Sequence, residues 1–336
     1  MSPLLRRAAA LAVTALVLYG VAPAIGEVFG AWDKVRDLKP WWLAGMAVAQ
    51  AASCWCLWQL QALSIGTDDK IAIATSQLAG GALGRVIPGG AATAAATQYG
   101  MLASAGVPRP AIATGLAAAT ILQVASLCVL PILVLPVLLL GVRVPQTLME
   151  TGAVGLGLFA AMLAIGLLVE RSDQVLRWAG RTTLRVARRL PEARRPDPDL
   201  PDRLVKVRDE ILERLGDRIV AASAYAVGRW MFDLLTLVAA VEAVGARPHL
   251  SLVLLAYVTA QLLGQIPVTP GGLGVVEAGL TATLVVAGVS PGDAAIATLA
   301  YRLFSYWLML PAGLAAWVVH RRRLARRDVV TTPDAA

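Results

Sequence analysis

Apolar positions in this chain come in long blocks separated by short polar stretches. After Arg6-Arg7 an apolar run extends from Ala8 to about Ile25. Ala22-Pro23-Ala24 loosely resembles a cleavage site, but the run is long enough to span a bilayer, and a span is expected. Residues 26–40 form a short loop of mixed charge. Trp41-Trp42 open a second span to about Leu63, as interfacial tryptophans do. A polar turn at Asp68-Asp69-Lys70 leads into two short apolar legs, about 71–87 and 89–105. Longer runs follow at about 111–141, kinked at Pro131 and Pro136, and at about 152–170.

The pattern then changes. Residues 171–218 hold 13 Arg/Lys and 9 Asp/Glu. Pro191 to Pro201 reads as a flexible loop. Residues 203–215 read as a short surface helix with Leu204, Val207, Ile211, Leu212 and Leu215 on one face. So charged a segment buries too little for a domain of its own. Apolar runs resume at about 219–243, 251–288 and 292–319. His320 to Arg327 is basic, and a disordered tail is expected after it.

Composition sharpens this picture. Of 336 residues, 57% are hydrophobic and 15% charged, with a mean hydropathy of +0.67. This is an all-α polytopic membrane protein with about eight membrane segments, forming a single transmembrane domain over residues 1–320. The net charge of +8 concentrates beside the apolar runs, as the positive-inside rule expects, and does not point to nucleic acid. Cys54, Cys56 and Cys128 lie in apolar segments, and His249 and His320 stand at segment ends. No disulfide framework, metal site or cofactor is expected.

The most informative stretch is Gln265-Ile-Pro-Val-Thr-Pro270-Gly271-Gly272-Leu-Gly274-Val-Val-Glu277. Its prolines stop the helix arriving from Leu252, and its glycines permit a tight turn before a new helix begins. Residues 84–90, Gly-Arg-Val-Ile-Pro-Gly-Gly, resemble it. Aligning Pro88 with Pro270 also aligns Gly89-Gly90 with Gly271-Gly272, and then Ala105-Gly-Val with Ala287-Gly-Val. The chain therefore reads as two repeats, about 8–141 and 152–319, meeting at the 171–218 loop. With Arg6-Arg7, residues 171–218 and Arg321–Arg327 on the cytoplasmic side, counting spans brings the two hairpins in from opposite faces. The repeats are then inverted. The legs are shorter than a comfortable span, so broken or re-entrant hairpins are expected.

Five ionisable residues fall within apolar segments: Arg85, Arg229, Asp233, Glu277 and Arg302. Each needs a partner or a wet cavity. Arg229 and Asp233 lie four apart on one helix face, where a coupling or structural pair is expected. Arg85 and Glu277 flank the two breaks, and a structural pairing of Glu277 with Arg302 is an alternative to a functional role. Helix starts after Gly89-Gly90 and Gly271-Gly272 offer free N–H groups to an anion, and arginine adds a fork suited to phosphate. Arg85, Pro88, Gly89, Gly90, Pro270, Gly271, Gly272, Glu277 and Arg302 are the candidate substrate-binding residues.

Pro270-Gly-Gly-Leu-Gly-Val-Val-Glu277-Ala-Gly-Leu, with Ala287-Gly-Val, Tyr301-Arg302-Leu303, Trp307 and Pro311, resembles the lysylphosphatidylglycerol synthase transmembrane-region family. The resemblance implies a bacterial inner-membrane, flippase-like protein of about eight spans, with Glu277 and Arg302 at the family's acid and arginine positions. The first half departs from the family: Ala-Ala-Thr-Ala-Ala-Ala at 91–96 stands where a Gly-Glu pair and further charges are often found. No soluble synthase domain is expected after the last span, and lipid aminoacylation is not expected.

The function expected is translocation of an anionic phospholipid or a polyprenyl-phosphate-type lipid. The alternatives are transport of a small anionic solute, or a non-transporting role holding lipid for a separate synthase or glycosyltransferase. HExxH, GxSxG and P-loop motifs are lacking, so an enzyme is not expected. The charge asymmetry predicts that cysteines placed at Ser2 or Ser172 are protected from an impermeant thiol reagent added outside intact cells, whereas cysteines within 244–250 react. Labelling at Ser172 from outside overturns the topology.

Overall fold

The structure, a computed structural model, describes residues 39–87, 90–130, 172–187, 216–264 and 270–331, with isolated positions between 164 and 213. The expected spans at 8–25 and 152–170, the end of the 111–141 span, the 191–201 loop and the apolar positions of the 203–215 helix lie outside the described residues. The described residues contain helices and no strands. The helices are α1 (Pro40–Ile65), α2 (Lys70–Val86), α3 (Gly90–Ser104), α4 (Arg109–Val129), α5 (Asp173–Ala187), α6 (Ile219–Ala243), α7 (Leu250–Gly264), α8 (Val275–Val286), α9 (Pro291–Arg302) and α10 (Met309–Thr331).

Three of the described stretches, Arg109–Leu127, Ile219–Ala243 and Pro291–Arg326, are long and apolar enough to cross a membrane. α1 is longer still than the first two, but it carries Gln50, Ser53, Gln61 and Ser64. All four are buried, while Trp41, Val48 and Trp55 face outward. This helix turns its polar side in and its apolar side out, as a lipid-facing element does. Ile71, Ile121, Val220, Leu235 and Leu314 are likewise exposed.

Helix ends follow from local chemistry. Gly66, in the left-handed region at φ 73°, terminates α1. Asp69 caps α2 by accepting from the Ala72 N–H at 3.0 Å, and it also pairs with Arg323 at 2.6 Å. Ser290 caps α9, with Pro291 in its first turn. α5 was not foreseen. Its apolar positions, among them Val175 and Leu176, are embedded in the arginine-rich segment. It is tied to the chain beyond it by Arg208–Asp173 at 2.6 Å and Arg177–Asp202 at 3.2 Å. The Arg208 guanidinium is held above its ordinary range by hydrogen bonds to Asp209 and Asp173. α10 is also longer than expected, because it runs through the basic stretch to Thr331 where a span ending near 319 and a loose tail were expected. Arginine is a good helix former, so the end of the apolar run is not the end of the helix.

Two antiparallel pairings organise the bundle. α1 lies along α6: Ser53 donates to the Arg229 carbonyl at 2.8 Å, Thr236 donates to Gln50 at 3.4 Å, and Leu60 packs with Ala222 and Ala226. α2 lies along α10. Asp69 meets Arg323, Thr75 meets His320 at 3.0 Å, and Gly313 fits against Leu78 and Ala82. His320, isolated in sequence, is buried here and also contacts Ser104 and the Met101 carbonyl of α3.

These contacts place both ends of the α2–α3 hairpin beside the basic end of α10. The α7–α8 hairpin starts and ends at the other end of the bundle, where Ala243, Val244, Ala287 and Val289 join Leu43 of α1 in one cluster. The two hairpins thus enter from opposite ends. Each closes on a glycine pair. An added Cβ at Gly84 would lie 2.6 Å from the Gly90 carbonyl oxygen, and one at Gly272 would lie 3.7 Å from the Gly264 Cα.

Gly313 sits where a Cβ would approach the Leu78 carbonyl oxygen to 2.6 Å. Gly313→Ala is expected to lower stability by about 1–3 kcal/mol through overpacking, measured by thermal unfolding in detergent. Unchanged unfolding would show that α2 and α10 can separate freely.

Candidate functional site

The tips of the two hairpins meet. The turn at Gly271 (φ 61°) lies directly on the end of α2: an added Cβ would be 2.8 Å from the Arg85 carbonyl oxygen and 2.6 Å from the Tyr306 ring. Glycine is required both by the backbone conformation and by this approach. The Tyr306 hydroxyl donates to the Arg85 carbonyl at 3.0 Å. Because α2 ends at Val86 and the next helix starts at Gly90, the last carbonyls of α2 lack helical partners, and Tyr306 supplies one.

Arg302 ends α9 beside this junction. Its Nε donates to Glu277 Oε1 at 2.6 Å, its Nη2 to the Gly271 carbonyl at 3.4 Å, and its guanidinium lies 4.4 Å from the centre of the Tyr306 ring. Glu277 sits in the first turn of α8, and its second oxygen accepts the Gly274 N–H at 2.8 Å. The carboxylate therefore occupies one of the free N–H groups of this helix start, where a negative charge is favoured. The side chains of Arg302 and Glu277 are 9% and 17% exposed, so this is a largely buried ion pair at the rim of the junction. Arg85 reaches across from α2, donating from Nη2 to the Ser305 carbonyl at 3.4 Å.

Arg85, Gly271, Glu277 and Arg302 thus converge. Gly272 is buried behind the turn, Gly90 opens α3 against Gly84, and the backbone of Pro270 begins the turn. Pro88 and Gly89 lie outside the described residues.

Arg229 and Asp233 do not form the ion pair that their spacing suggested. Asp233 is buried, and its Oδ2 accepts from the hydroxyls of Tyr257 and Tyr301 at 2.8 Å each and from Gln261 at 3.0 Å. Arg229 instead lays its guanidinium on Trp230, 3.7 Å from the ring centre. Its Nη1 is buried without a hydrogen-bond partner. Three donors from α7 and α9 satisfy the carboxylate, so the arginine is not needed to solvate it. Tyr257 and Tyr306 went unread in the sequence, and Tyr301 entered only through the stretch that resembles the family. Tyr257 and Gln261 stand four apart on an apolar helix, which is a usable signal; Tyr306 carries none.

Between α2, α3 and α10 runs a groove of about 390 Å³, lined by Ala82, Leu83, Val86, Leu310, Leu314 and Trp317 among others. Leu83, Leu314 and Trp317 are exposed, so the groove opens on the outer surface of the bundle, and at Val86 it reaches the residue after Arg85.

The sequence profile of the lysylphosphatidylglycerol synthase transmembrane region matches residues 7–313. The chain belongs to this family. Membership in the lysylphosphatidylglycerol synthase transmembrane-region family makes it a membrane protein and is consistent with a lipid-related role. It is also similar to a UPF0104 membrane protein of Methanothermobacter thermautotrophicus, 34% identical over 87 residues. That match covers 26% of this chain, which spans about a quarter of the relative's length. No solved structure matches the chain significantly.

Removing one member of a buried ion pair strands the other, and so destabilises by about 3–5 kcal/mol. Glu277→Gln and Arg302→Gln are each expected to lower the unfolding temperature in detergent. The double variant should recover a coupling of at least about 0.5 kcal/mol. Strict additivity would show that the pair is not formed.

Proposed function

We propose that this protein moves an anionic lipid between the leaflets of the membrane. A phospholipid or a polyprenyl-phosphate-type lipid fits the site. The observation that carries the reading is the junction of the two hairpin tips. It holds two arginines, Arg85 and Arg302, against one carboxylate, and an apolar groove runs from its flank to the bundle surface. A phosphate needs the arginines and its acyl chains need the groove; a small solute needs only the former.

The two halves support an inverted repeat. α1 and α6 stand at equivalent positions and run antiparallel. On this reading α2–α3 corresponds to α7–α8, and the two hairpins enter from opposite ends and close against the equivalent glycines Gly90 and Gly272. Their tips meet beside Ser305 and Tyr306, part-way along the continuous run from α9 through α10. α2 is about 25 Å long, which falls short of a bilayer core. We infer re-entrant hairpins around a site near the midplane, the arrangement in which broken helices are tolerated and substrates are held in secondary transporters. On this reading the protein sits in the inner membrane of a bacterium with both termini cytoplasmic. It performs no covalent chemistry itself, and it serves a separate synthase or glycosyltransferase. Energy comes from a gradient or from mass action.

Reconstitution tests the proposal. Proteoliposomes carrying a fluorescent anionic phospholipid are bleached from one side, and the exchange rate is followed. Arg302→Ala would strand Glu277, so the informative variant is Glu277→Gln with Arg302→Gln, which leaves no orphan charge. It is expected to insert normally and to slow exchange by about tenfold or more, the equivalent of one lost charged hydrogen bond. Arg302→Lys should recover part of the rate because the charge returns without the fork. Wild-type exchange in the double variant overturns the anion role of Arg302. Uptake of soluble glycerophosphate at a rate matching lipid exchange favours the small-solute reading instead.

A further inference from the structure

A second polar space lies on the other side of Arg85. It has a volume of about 30 Å³ and is lined by Gln50, Ser53, Cys54 and Leu57 of α1, by Gln77, Leu78 and Arg85 of α2, by Arg229 of α6 and by Met309 of α10. Two guanidinium groups face it, and no lining residue is a carboxylate. The nearest acid along α6, Asp233, directs its Oδ2 to Tyr257 and Gln261 of α7 and Tyr301 of α9, none of which lines this cavity. Glu277 is engaged by Arg302 and the Gly274 N–H.

Arg229 Nη1 is fully buried and has no hydrogen-bond partner. Arg85 donates only a long hydrogen bond, 3.4 Å, to the Ser305 carbonyl. Its Nη1 occupies space that Gly81 leaves free, since a Cβ there would come within 3.1 Å. Two like charges sharing a small, weakly polarisable space repel each other, and a water molecule offers no net charge to offset that.

We propose that this cavity binds one small inorganic anion of chloride size, bridging Arg85 and Arg229. The uncharged lining suits the assignment. The amide N–H groups of Gln50 and Gln77 are the neutral donors a halide accepts, the Ser53 hydroxyl being given to the Arg229 carbonyl. The volume admits one or two water-sized groups and no phosphate ester, since a single water already needs about 10–15 Å³. The anion joins α1, α2 and α6 where their polar faces meet. It also fixes the charge of Arg85 from behind, while the front of that residue's turn carries the hairpin junction. The proposal does not depend on lipid translocation.

Direct binding decides it. Purified protein in detergent is titrated with radioactive chloride against a gluconate background at constant ionic strength. Saturable binding of one ion per chain is expected, with bromide competing and glycerophosphate not competing. Bound chloride should raise the unfolding temperature by about 3 °C or more over gluconate. Arg229→Gln should abolish both effects, while Arg321→Gln, on the exposed end of α10, should keep them. If Arg229→Gln fails to fold, bromide-soaked crystals of the unaltered protein decide instead, by an anomalous peak within about 3.5 Å of both guanidinium groups. Absence of saturable binding, binding retained in Arg229→Gln, or displacement by glycerophosphate overturns the proposal. None of these outcomes touches the leaflet-exchange assay, so the two readings fail separately.

Discussion

Arg302 and Glu277 meet at a helix start inside an apolar bundle, and much of the remaining architecture can be understood from what that meeting demands. A guanidinium and a carboxylate held away from water need every remaining donor and acceptor filled. Glu277 takes the Gly274 N–H, Arg302 gives to the Gly271 carbonyl, and Tyr306 offers both a ring face to Arg302 and a hydroxyl to Arg85. For these groups to reach one another, α7 must end before the turn, α8 must begin within the bundle, and the first hairpin must stop where the second does. Gly90 and Gly271 serve that geometry.

The same constraint explains why the polar residues of α1 point inward. Gln50, Ser53 and Gln61 would be unfavourable on a lipid-facing surface, but each finds room among other polar groups at the centre. Gln61 donates to Gln98 of α3 at 3.1 Å, while Trp58 donates to Gln77 of α2 at the same distance. α1 therefore carries its hydrogen-bonding groups on its buried side and large apolar side chains on its exposed one.

Much of the fold could be read in the sequence because long apolar runs and short polar turns are unambiguous: α6 begins and ends where its run does. The proline-glycine breaks were legible for a similar reason, since both residue types act on the local backbone. Arg85, Glu277 and Arg302 could be picked out as candidates because a charge within an apolar segment needs a partner or a wet cavity. What was not legible depended on distant partners. Asp233 looked like the mate of Arg229 at helical spacing, yet its three donors stand 24 to 68 residues away. His320 looked solitary at the end of a run, yet it holds α2 and α3 to α10. α5 was hidden because arginines between its apolar positions masked a helical period.

Between Arg302 and Met309 the helix widens into a π turn, Leu303–Trp307, closed by the Leu308 N–H bonding back to the Leu303 carbonyl at 2.9 Å. Such a turn holds one residue more than an α-helical path would, and it advances everything beyond it by about 100° around the axis. Arg302 lies on the near side of that step and Ser305 within it, while Gly313 and His320 lie beyond it. The chain thus carries two helical phases in one apparently uninterrupted helix. When relatives are compared across residues 303–307, a gap of a single residue has a structural meaning: a chain without the extra residue would keep its hydropathy profile, yet would turn a different face of its last helix toward α2.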